Sequence, residues 1–586
     1  MKKSRLIIIC SLVLMLILNL IVPVRILAVT NENVSLENIG QRIEAYVAEN
    51  IDTTAGMSVA VFSDKETLYR NSFGYSDIEK KIPVTEDTVM EWGSVSKLLV
   101  WVSVMQLVEQ GVIDLNTDIS KYLPEGFLKN INFAEAITML NLMNHNAGFE
   151  ETIIGMATAK EERIISLKEY LQKFQPEQVY KPGLVCAYSN WGTTLAAYIV
   201  EYVAGMSYDE YVNRYIFKPL EMNDSAIRAD LTDNQTVRER RMELKIYQGL
   251  KEIKPNMNYT IMYPAGSCTS TIADMQKFAQ SLLSEETVLF ENPETYYLLF
   301  SPSLYIPKTD IPRNYHGFWY LDTYDAHIIG HGGNTAGCTS QLLLDIENGI
   351  GMVVQTNQAG ENTYNYLMPE LVFGTYQGPK SDYVGLARSA RTISHGPLKI
   401  YSLLSVVGIE LEDFNVYSIN RNDELKMDVI SAPYGDFLMI GFRDIALDVI
   451  VLVLYLLSIL YCLFNVFRHL IIAVFRKIRK QKRPDRLPLF YPAGILLVLF
   501  PVISIFFIFS SLLTLNQWHL WTYRMAFLLM GLTVPLLLFL IVYGWKQYKD
   551  NKTTYLKRWD LLGIFICMLI TVINIIYWQL GCFWMI

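Results

Sequence analysis

The distribution of apolar residues constrains this 586-residue chain more than any other feature, because the excess lies at its two ends. Four C-terminal stretches are each long enough to cross a bilayer. They are Leu447–Phe467, Leu489–Leu515, Met525–Trp545 and Leu561–Trp584. We therefore expect an α-helical membrane domain with four transmembrane helices over residues 446–586.

The N-terminus predicts export of the segment that follows it. Basic residues precede the apolar run Leu6–Val24, which is typical of a signal peptide or an uncleaved anchor within residues 1–29. Basic loops at Arg476–Arg486 and Lys546–Arg558 are expected in the cytoplasm. Both ends thus predict a multi-pass protein of the cell membrane, with residues 30–445 on the extracellular side.

Charge and cysteine content exclude several classes of protein. A net charge of −8 argues against a nucleic-acid partner. Seven cysteines are too few and too scattered for a disulfide framework, so Cys186, Cys268 and Cys338 are expected to be small core residues. His327 and His331 lack the Glu of a His-Glu-x-x-His site, and we expect neither a metal nor a cofactor.

The segment from Trp92 to Lys97 is the strongest candidate for chemistry. An apolar run, Leu98–Val108, follows it and predicts a helix buried on all sides. Ser94 and Lys97 are three residues apart and project from one helix face. Because burial disfavours the charged amine, Lys97 could act as a general base beside a serine nucleophile. The alternative is a capping serine and a surface lysine.

Two further motifs support the catalytic interpretation. Tyr188-Ser189-Asn190 precedes a predicted helix, and a tyrosine beside a lysine can serve as a base. His331-Gly332-Gly333-Asn334 directly follows a predicted strand, where the glycines would let a substrate backbone approach the strand edge.

Strands early and late in the exported region, with helices between them, predict an α+β fold in which one sheet is built from both chain ends. The predicted strands are Met57–Phe62, Thr67–Phe73, Gly317–Tyr320, His327–Gly330, Ser340–Leu344 and Gly351–Gln355. The predicted helices are Leu36–Val47, Leu98–Val108, Ile137–His145, Leu167–Phe174, Thr193–Val203 and Met275–Leu283. Residues 381–445 mix helix and strand patterns and form a connector to which we assign no fold.

The motifs together resemble the serine β-lactamase and penicillin-binding-protein superfamily, most closely its class C-like branch. Ser94-Val-Ser-Lys97 resembles its Ser-x-x-Lys motif, Tyr188-Ser-Asn190 its Tyr-x-Asn motif, and His331-Gly-Gly333 the His-x-Gly variant of its Lys-Thr-Gly motif. Order and spacing agree over roughly residues 38–375. The resemblance implies a β-lactamase-like domain at residues 30–380, an antiparallel sheet flanked by helices with an inserted helical region.

The resemblance also implies a role for each motif residue. Ser94 would carry the acyl group, Lys97 and Tyr188 would shuttle its proton, and Asn190 would hold the substrate amide. The backbone N–H groups of Ser94 and Asn334 would form the oxyanion hole. His331 and Gly333 would line the substrate site. Because histidine is mostly neutral at pH 7 where lysine is charged, carboxylate capture would be weakened and β-lactam hydrolysis would be poor.

These observations favour a membrane-bound, exported serine hydrolase that forms an acyl-enzyme on Ser94. Its expected substrates are amide bonds in D-residue-containing or acylated peptides, as in similar membrane-bound peptidases that remove an N-acyl-D-amino-acid prodrug cap. The expected partners are a small-molecule or peptide substrate and the lipid bilayer. Two alternatives stay open: a β-lactamase or β-lactam-binding penicillin-binding protein, and a non-enzymatic sensor of β-lactams or peptides.

Overall fold

A computed structural model describes residues 36–129, 131–153, 155–321, 323–375, 384–395, 399, 401–410, 418–480, 494–500, 502–503, 520–549 and 555–579. The predicted signal or anchor at residues 1–29 lies outside these residues.

The central sheet has nine antiparallel strands within the described residues. Its strands are β1 (Gly56–Ser63), β2 (Thr67–Asp77), β3 (Ile82–Pro83), β4 (Leu304–Tyr305), β5 (Pro312–Tyr315), β6 (Phe318–Tyr320), β7 (Ile328–Asn334), β8 (Thr339–Asp345) and β9 (Ile350–Thr356). Their order is β4-β5-β6-β7-β8-β9-β1-β2-β3. Strand β1 pairs with β9, Val59 facing Val354. The prediction that both chain ends build one sheet is therefore confirmed.

Helices cover both faces of this sheet. They are α1 (Ile39–Asn50), α2 (Lys97–Glu109), α3 (Met139–Met143), α4 (Leu167–Lys173), α5 (Asn190–Ala204), α6 (Tyr208–Val212), α7 (Gln235–Glu243), α8 (Ile272–Ser281), α9 (Pro293–Leu299) and α10 (Glu370–Phe373). Two-residue strands lie among them at Met90–Glu91, Ala157–Thr158, Ser225–Ala226, Tyr247–Gln248, Lys251–Glu252, Tyr259–Thr260 and Thr269–Ser270.

Strand β1 is buried from Gly56 to Phe62 because each of its faces meets a different core. Val59 and Val61 pack with residues of α1 and α10, whereas Ala60 and Phe62 pack with residues of α2 and α8. A strand buried on both faces lacks the alternation of a half-exposed one. Helix α2 is buried from Lys97 to Leu107, as its uniformly apolar sequence predicts.

The position of the His331 motif differs from the prediction. We expected the motif to follow a strand that ends at Gly330, but β7 continues to Asn334. Backbone pairing with β8 persists to the pair Asn334–Thr339, and so His331 and both glycines lie inside the sheet.

A second antiparallel sheet occupies most of the predicted connector. Its strands are β10 (Val384–Ser389), β11 (Val406–Glu410), β12 (Ser418–Asn422), β13 (Met427–Ala432) and β14 (Gly435–Ile440), with the short helix α11 (Tyr401–Leu404) between β10 and β11. The strand order is β11-β10-β14-β13-β12. We call β10–β14 the accessory sheet.

The C-terminal region contains the long helices α12 (Phe442–Ile478), α13 (Leu520–Lys549) and α14 (Tyr555–Tyr577). Within the described residues, one stretch is long and apolar enough to cross a membrane, Phe442–Asn465 of α12. The apolar part of α14 is shorter, Leu562–Tyr577, because charged residues occupy its first turns. The predicted four-helix membrane domain is therefore not supported beyond α12; most of the second predicted span and many α13 side chains lie outside the described residues.

Candidate active site

Ser94 lies in a 3₁₀ turn, Gly93–Ser96, that leads into α2 and packs against the end of β7. Gly93 has a φ of +52°, and a Cβ on it would lie 2.6 Å from the backbone nitrogen of Asn334. A Cβ on Gly333 would lie 1.9 Å from the carbonyl oxygen of Trp92. Glycine at both positions thus lets the Ser94 turn touch the β7 backbone, which brings the Asn334 backbone beside Ser94.

Lys97 is fully buried directly beneath Ser94. Its Nζ donates to Ser94 Oγ at 2.9 Å and to the carbonyl oxygen of Ala265 at 2.7 Å. Burial, followed by the positive charge of Arg391, holds the pKa of Lys97 well below its usual value, and Glu151 opposes the shift. The lowered pKa favours the neutral form of Lys97, which is the form in which an amine can accept a proton.

Tyr188 stands on the loop before α5, with its ring beside Lys97. The Nζ of Lys97 lies 4.9 Å from the ring centroid, and the His145 ring stacks at 4.5 Å between centroids. Burial raises the pKa of Tyr188, while the Ser94 hydroxyl and the Arg391 charge oppose the rise. No hydrogen bond of good geometry reaches the Tyr188 hydroxyl from the described residues. Burial therefore favours the neutral phenol of Tyr188.

His331 is buried, and its ring lies 6.0 Å from that of Tyr188. Its Nδ1 is 2.6 Å from the carbonyl oxygen of Gly332, which can only accept, so Nδ1 carries the proton. Burial, followed by the neighbouring Lys97, lowers the pKa of His331 to about 3. The ring is neutral at physiological pH and offers no charge to a carboxylate.

An open cleft of about 280 Å³ extends from Ser94. Its lining includes Asn190 on the first turn of α5, Asn334 at the end of β7, and the buried ion pair of Arg241 with Glu91. The predicted residues Ser94, Asn190 and Asn334 thus share one cleft, with Lys97 bonded to Ser94 from below. Among the described residues, no group of three or more His, Cys, Asp or Glu could hold a metal ion.

Several residues beside the site were not predicted from the sequence. The sequence predicts His145 only as the end of a helix, yet its Nδ1 accepts from the backbone of Ser189 at 3.0 Å and its ring packs on Tyr188. Arg391 lies in a segment to which no fold was assigned. Glu151 and Arg241 are single charged residues in unremarkable contexts, and only their burial distinguishes them.

Comparison with known proteins agrees with this geometry. Residues 43–377, more than half of the chain, match the family model described as Beta-lactamase. The human mitochondrial serine beta-lactamase-like protein LACTB is 24% identical over 381 residues, which cover 49% of this chain and 68% of that protein. Protein flp of Staphylococcus aureus (strain N315) is 25% identical over 312 residues, which cover 52% of this chain and 60% of that protein.

Two solved structures are also similar. The octameric penicillin-binding protein homologue from Pyrococcus abyssi aligns with a TM-score of 0.48 and 18% identity, covering 69% of this chain and all of that one. A D-amino acid amidase from Ochrobactrum anthropi SV3 aligns with a TM-score of 0.45 and 22% identity, covering 57% of this chain and 96% of that one. On the match of residues 43–377, the chain belongs to the beta-lactamase family of serine hydrolases.

Proposed function

We propose that this protein is a membrane-attached hydrolase that forms an acyl-enzyme on Ser94 and cleaves amide bonds in D-residue-containing or acylated peptides. The observation that carries the proposal is the 2.9 Å hydrogen bond from Lys97 Nζ to Ser94 Oγ beneath an open cleft. A buried amine with a lowered pKa can take the proton of a neighbouring serine hydroxyl and so activate the serine oxygen as a nucleophile.

In the proposed reaction, Ser94 Oγ attacks the substrate carbonyl carbon while Lys97 takes the hydroxyl proton. The backbone N–H groups of Ser94 and Asn334 would stabilise the negative oxygen that forms. The C–N bond then breaks, Tyr188 gives its proton to the leaving amine, and the proton on Lys97 replaces it. Asn190 would hold the amide of the acyl part. Water hydrolyses the ester by the reverse proton path.

The substrate class rests on His331 and on the membrane helix. A neutral His331 weakens the binding of penicillin or of a terminal D-alanine carboxylate. Several large apolar side chains of α12 are turned outward, including Leu460, Phe464 and Phe467, each at least 60% exposed. Exposed apolar surface of this kind is typical of a membrane contact. A lipid-linked or acylated peptide would be presented to a site held at that surface.

Covalent labelling tests the nucleophile. Purified full-length protein should be labelled by a fluorophosphonate, and Ser94→Ala should lose the label in intact-mass spectra. Lys97→Ala and Tyr188→Phe should slow labelling by roughly 10²–10⁴-fold, the usual contribution of a general acid or base. Ser103→Ala is a matched control, because Ser103 lies in α2, the helix that follows Ser94, and its hydroxyl donates to the carbonyl oxygen of Leu99. Labelling that persists in Ser94→Ala would contradict the proposal.

A substrate panel tests the reaction. We expect turnover of an N-acyl-D-asparaginyl amide, with little or no turnover of a penicillin, a D-alanyl-D-alanine peptide or a short ester. Penicillin turnover at a kcat of roughly 10 s⁻¹ or more, with the amides untouched, would replace the proposal by a β-lactamase. A stable penicillin adduct without turnover of any amide would favour a sensor.

We also propose a topology with four membrane spans, in which the hydrolase domain lies outside the cell. Reporter fusions after residues 300 and 519 should be exported, and fusions after residues 481 and 552 should be cytoplasmic. A cytoplasmic reporter at 300 or an exported one at 481 would contradict this topology.

A further inference from the structure

The loop that follows β10 passes over the candidate site. Arg391, in this loop, places its guanidinium carbon 5.0 Å from the ring centroid of Tyr188, on the ring that also contacts Lys97. Its Nε forms an ion pair with Glu151, whose side chain is buried. The backbone N–H of Glu151 donates to the carbonyl oxygen of Thr392 at 3.0 Å. The loop is therefore fixed to the hydrolase domain beside Tyr188.

A second part of the accessory sheet holds the chain just before Tyr188. The backbone N–H of Cys186 donates to Asp436 Oδ2 at 2.8 Å, and the backbone N–H of Asp436 donates to the carbonyl oxygen of Cys186 at 2.8 Å. Arg313 pairs with the same carboxylate at 2.8 Å, and both side chains are buried. Cys186, two residues before Tyr188, is thus bonded to β14 through both of its backbone polar groups.

The accessory sheet lies outside residues 43–377, which match the family model, and β14 leads directly into α12. Arg388 of β10 also pairs with Asp448 of α12 at 3.7 Å. One small sheet therefore contacts both the candidate site and the start of the apolar helix.

We propose that the accessory sheet completes the catalytic site, and that Arg391 is a positioning residue that orients Tyr188 and places a fixed positive charge beside Lys97. This inference rests on the proposed function, because it assigns Arg391 a part in acylation of Ser94. A cation over the face of a tyrosine ring favours one ring orientation, and the Glu151 ion pair keeps that cation in place.

The charged side chains around Lys97 allow the role of Arg391 to be measured. Arg391 and Glu151 act on Lys97 with opposite charges. The other titratable side chains near Lys97 are those of His145, His331 and Tyr188. Arg391 lowers the pKa of Lys97 and Glu151 raises it. Removing the Arg391 charge should therefore raise the pKa of Lys97. Because acylation needs neutral Lys97, the acid limb of its pH profile should move to higher pH.

The test compares Arg391→Gln and Arg391→Lys in the full-length protein. Fluorophosphonate acylation is followed from pH 5 to 9. We expect Arg391→Gln to move the acid limb upward by about one unit, which slows acylation about tenfold at each pH on that limb. Arg391→Lys should keep the limb within a few tenths of a unit. Arg421→Gln is the control, since Arg421 lies on the exposed edge strand β12 of the same sheet and pairs with Asp428.

A further variant separates the charge from the contact. The double variant Arg391→Gln/Glu151→Gln leaves no unpaired buried carboxylate, so it guards against misfolding of the single variant. Its acid limb should shift less than that of Arg391→Gln, while acylation stays slow because the contact with Tyr188 is missing. If the acid limb of the pH profile lies at the same pH in Arg391→Gln and in the native protein, the inference is overturned. If Ser94 itself is not labelled in the native protein, the proposed function fails instead.

Discussion

Burial sets the protonation states of the residues around Ser94. Lys97, His145 and His331 are all buried, and burial is the first cause of the lowered pKa of each. A neutral lysine can act as a base, and a neutral His331 cannot attract a carboxylate by charge. The same desolvation thus favours the neutral Lys97 that the proposed acylation requires and leaves His331 without a charge for a substrate carboxylate.

His331 should make the folded protein sensitive to acid. Its folded pKa is about 3, below the unperturbed value near 6.5, so the unfolded chain binds the extra proton. Stability is therefore complete above pH 6.5 and falls by at most about 1.4 kcal/mol per unit as the pH drops toward 3. In His331→Leu, the free energy of unfolding should depend less on pH between 6.5 and 4.

His145 is buried as well. In the double variant His145→Leu/His331→Leu, the free energy of unfolding should therefore depend on pH even less than in His331→Leu. An unchanged slope in His331→Leu would show that the ring is not kept neutral by the fold.

At the scale of elements, the contact between the Ser94 turn and β7 places the serine beside the Asn334 backbone. The contact depends on the absence of a side chain at two glycines. The helix behind the turn is buried from Lys97 to Leu107, so the turn has little freedom to move back. The position of Ser94 beside β7 is therefore set by close packing and not by side-chain hydrogen bonds alone.

Gly333→Ala should disrupt that junction. The new Cβ would lie 1.9 Å from the Trp92 carbonyl oxygen, which is backbone, so strand and turn must separate. We expect acylation of Ser94 to slow by about 10²-fold, as a misplacement of about 1 Å can cause. Gly332→Ala is the matched variant: its Cβ would meet side-chain atoms of Tyr366 and Gln341 at 3.2 Å and 3.3 Å, so its loss should be far smaller. Equal losses would contradict the packing argument.

For the whole molecule, the accessory sheet joins the hydrolase domain to α12. On one side, Asp436 binds Arg313 and the Cys186 backbone. On the other, Arg388 pairs with Asp448 and the ammonium of Lys399 lies 4.4 Å from the ring centroid of Tyr577. Through these contacts the accessory sheet links the C-terminal helices to the loop that carries Tyr188.

The buried pair of Arg313 and Asp436 should be strongly coupled. Arg313→Met leaves a buried carboxylate without its cation, which costs about 3–5 kcal/mol of stability. The side-chain oxygen that remains in Asp436→Asn can still accept from the backbone N–H of Cys186. Arg313→Met/Asp436→Asn should therefore recover part of that loss. Thermal unfolding of the full-length protein in detergent measures the cycle. Additive losses in the double variant would contradict the coupling.

The local sequence determined much of this protein. The apolar runs predicted the strands β1, β8 and β9 and the buried helix α2, because each pattern depends on neighbours a few residues away. The motifs around Ser94, Tyr188 and His331 predicted which side chains would meet, because their order and spacing resemble those of a known family. The assignment of catalytic roles to these residues stays a prediction.

The tertiary structure decided what depends on distant residues. It extended β7 through His331, because pairing with β8 continues beyond the glycines. It lowered the pKa of Lys97 and raised that of Tyr188, because distant parts of the chain bury both side chains and no local pattern reports such burial. It also brought Arg391 to Tyr188 across 203 positions of sequence. Contacts of that range arise from the packing of the accessory sheet, which no local periodicity in residues 381–445 predicts.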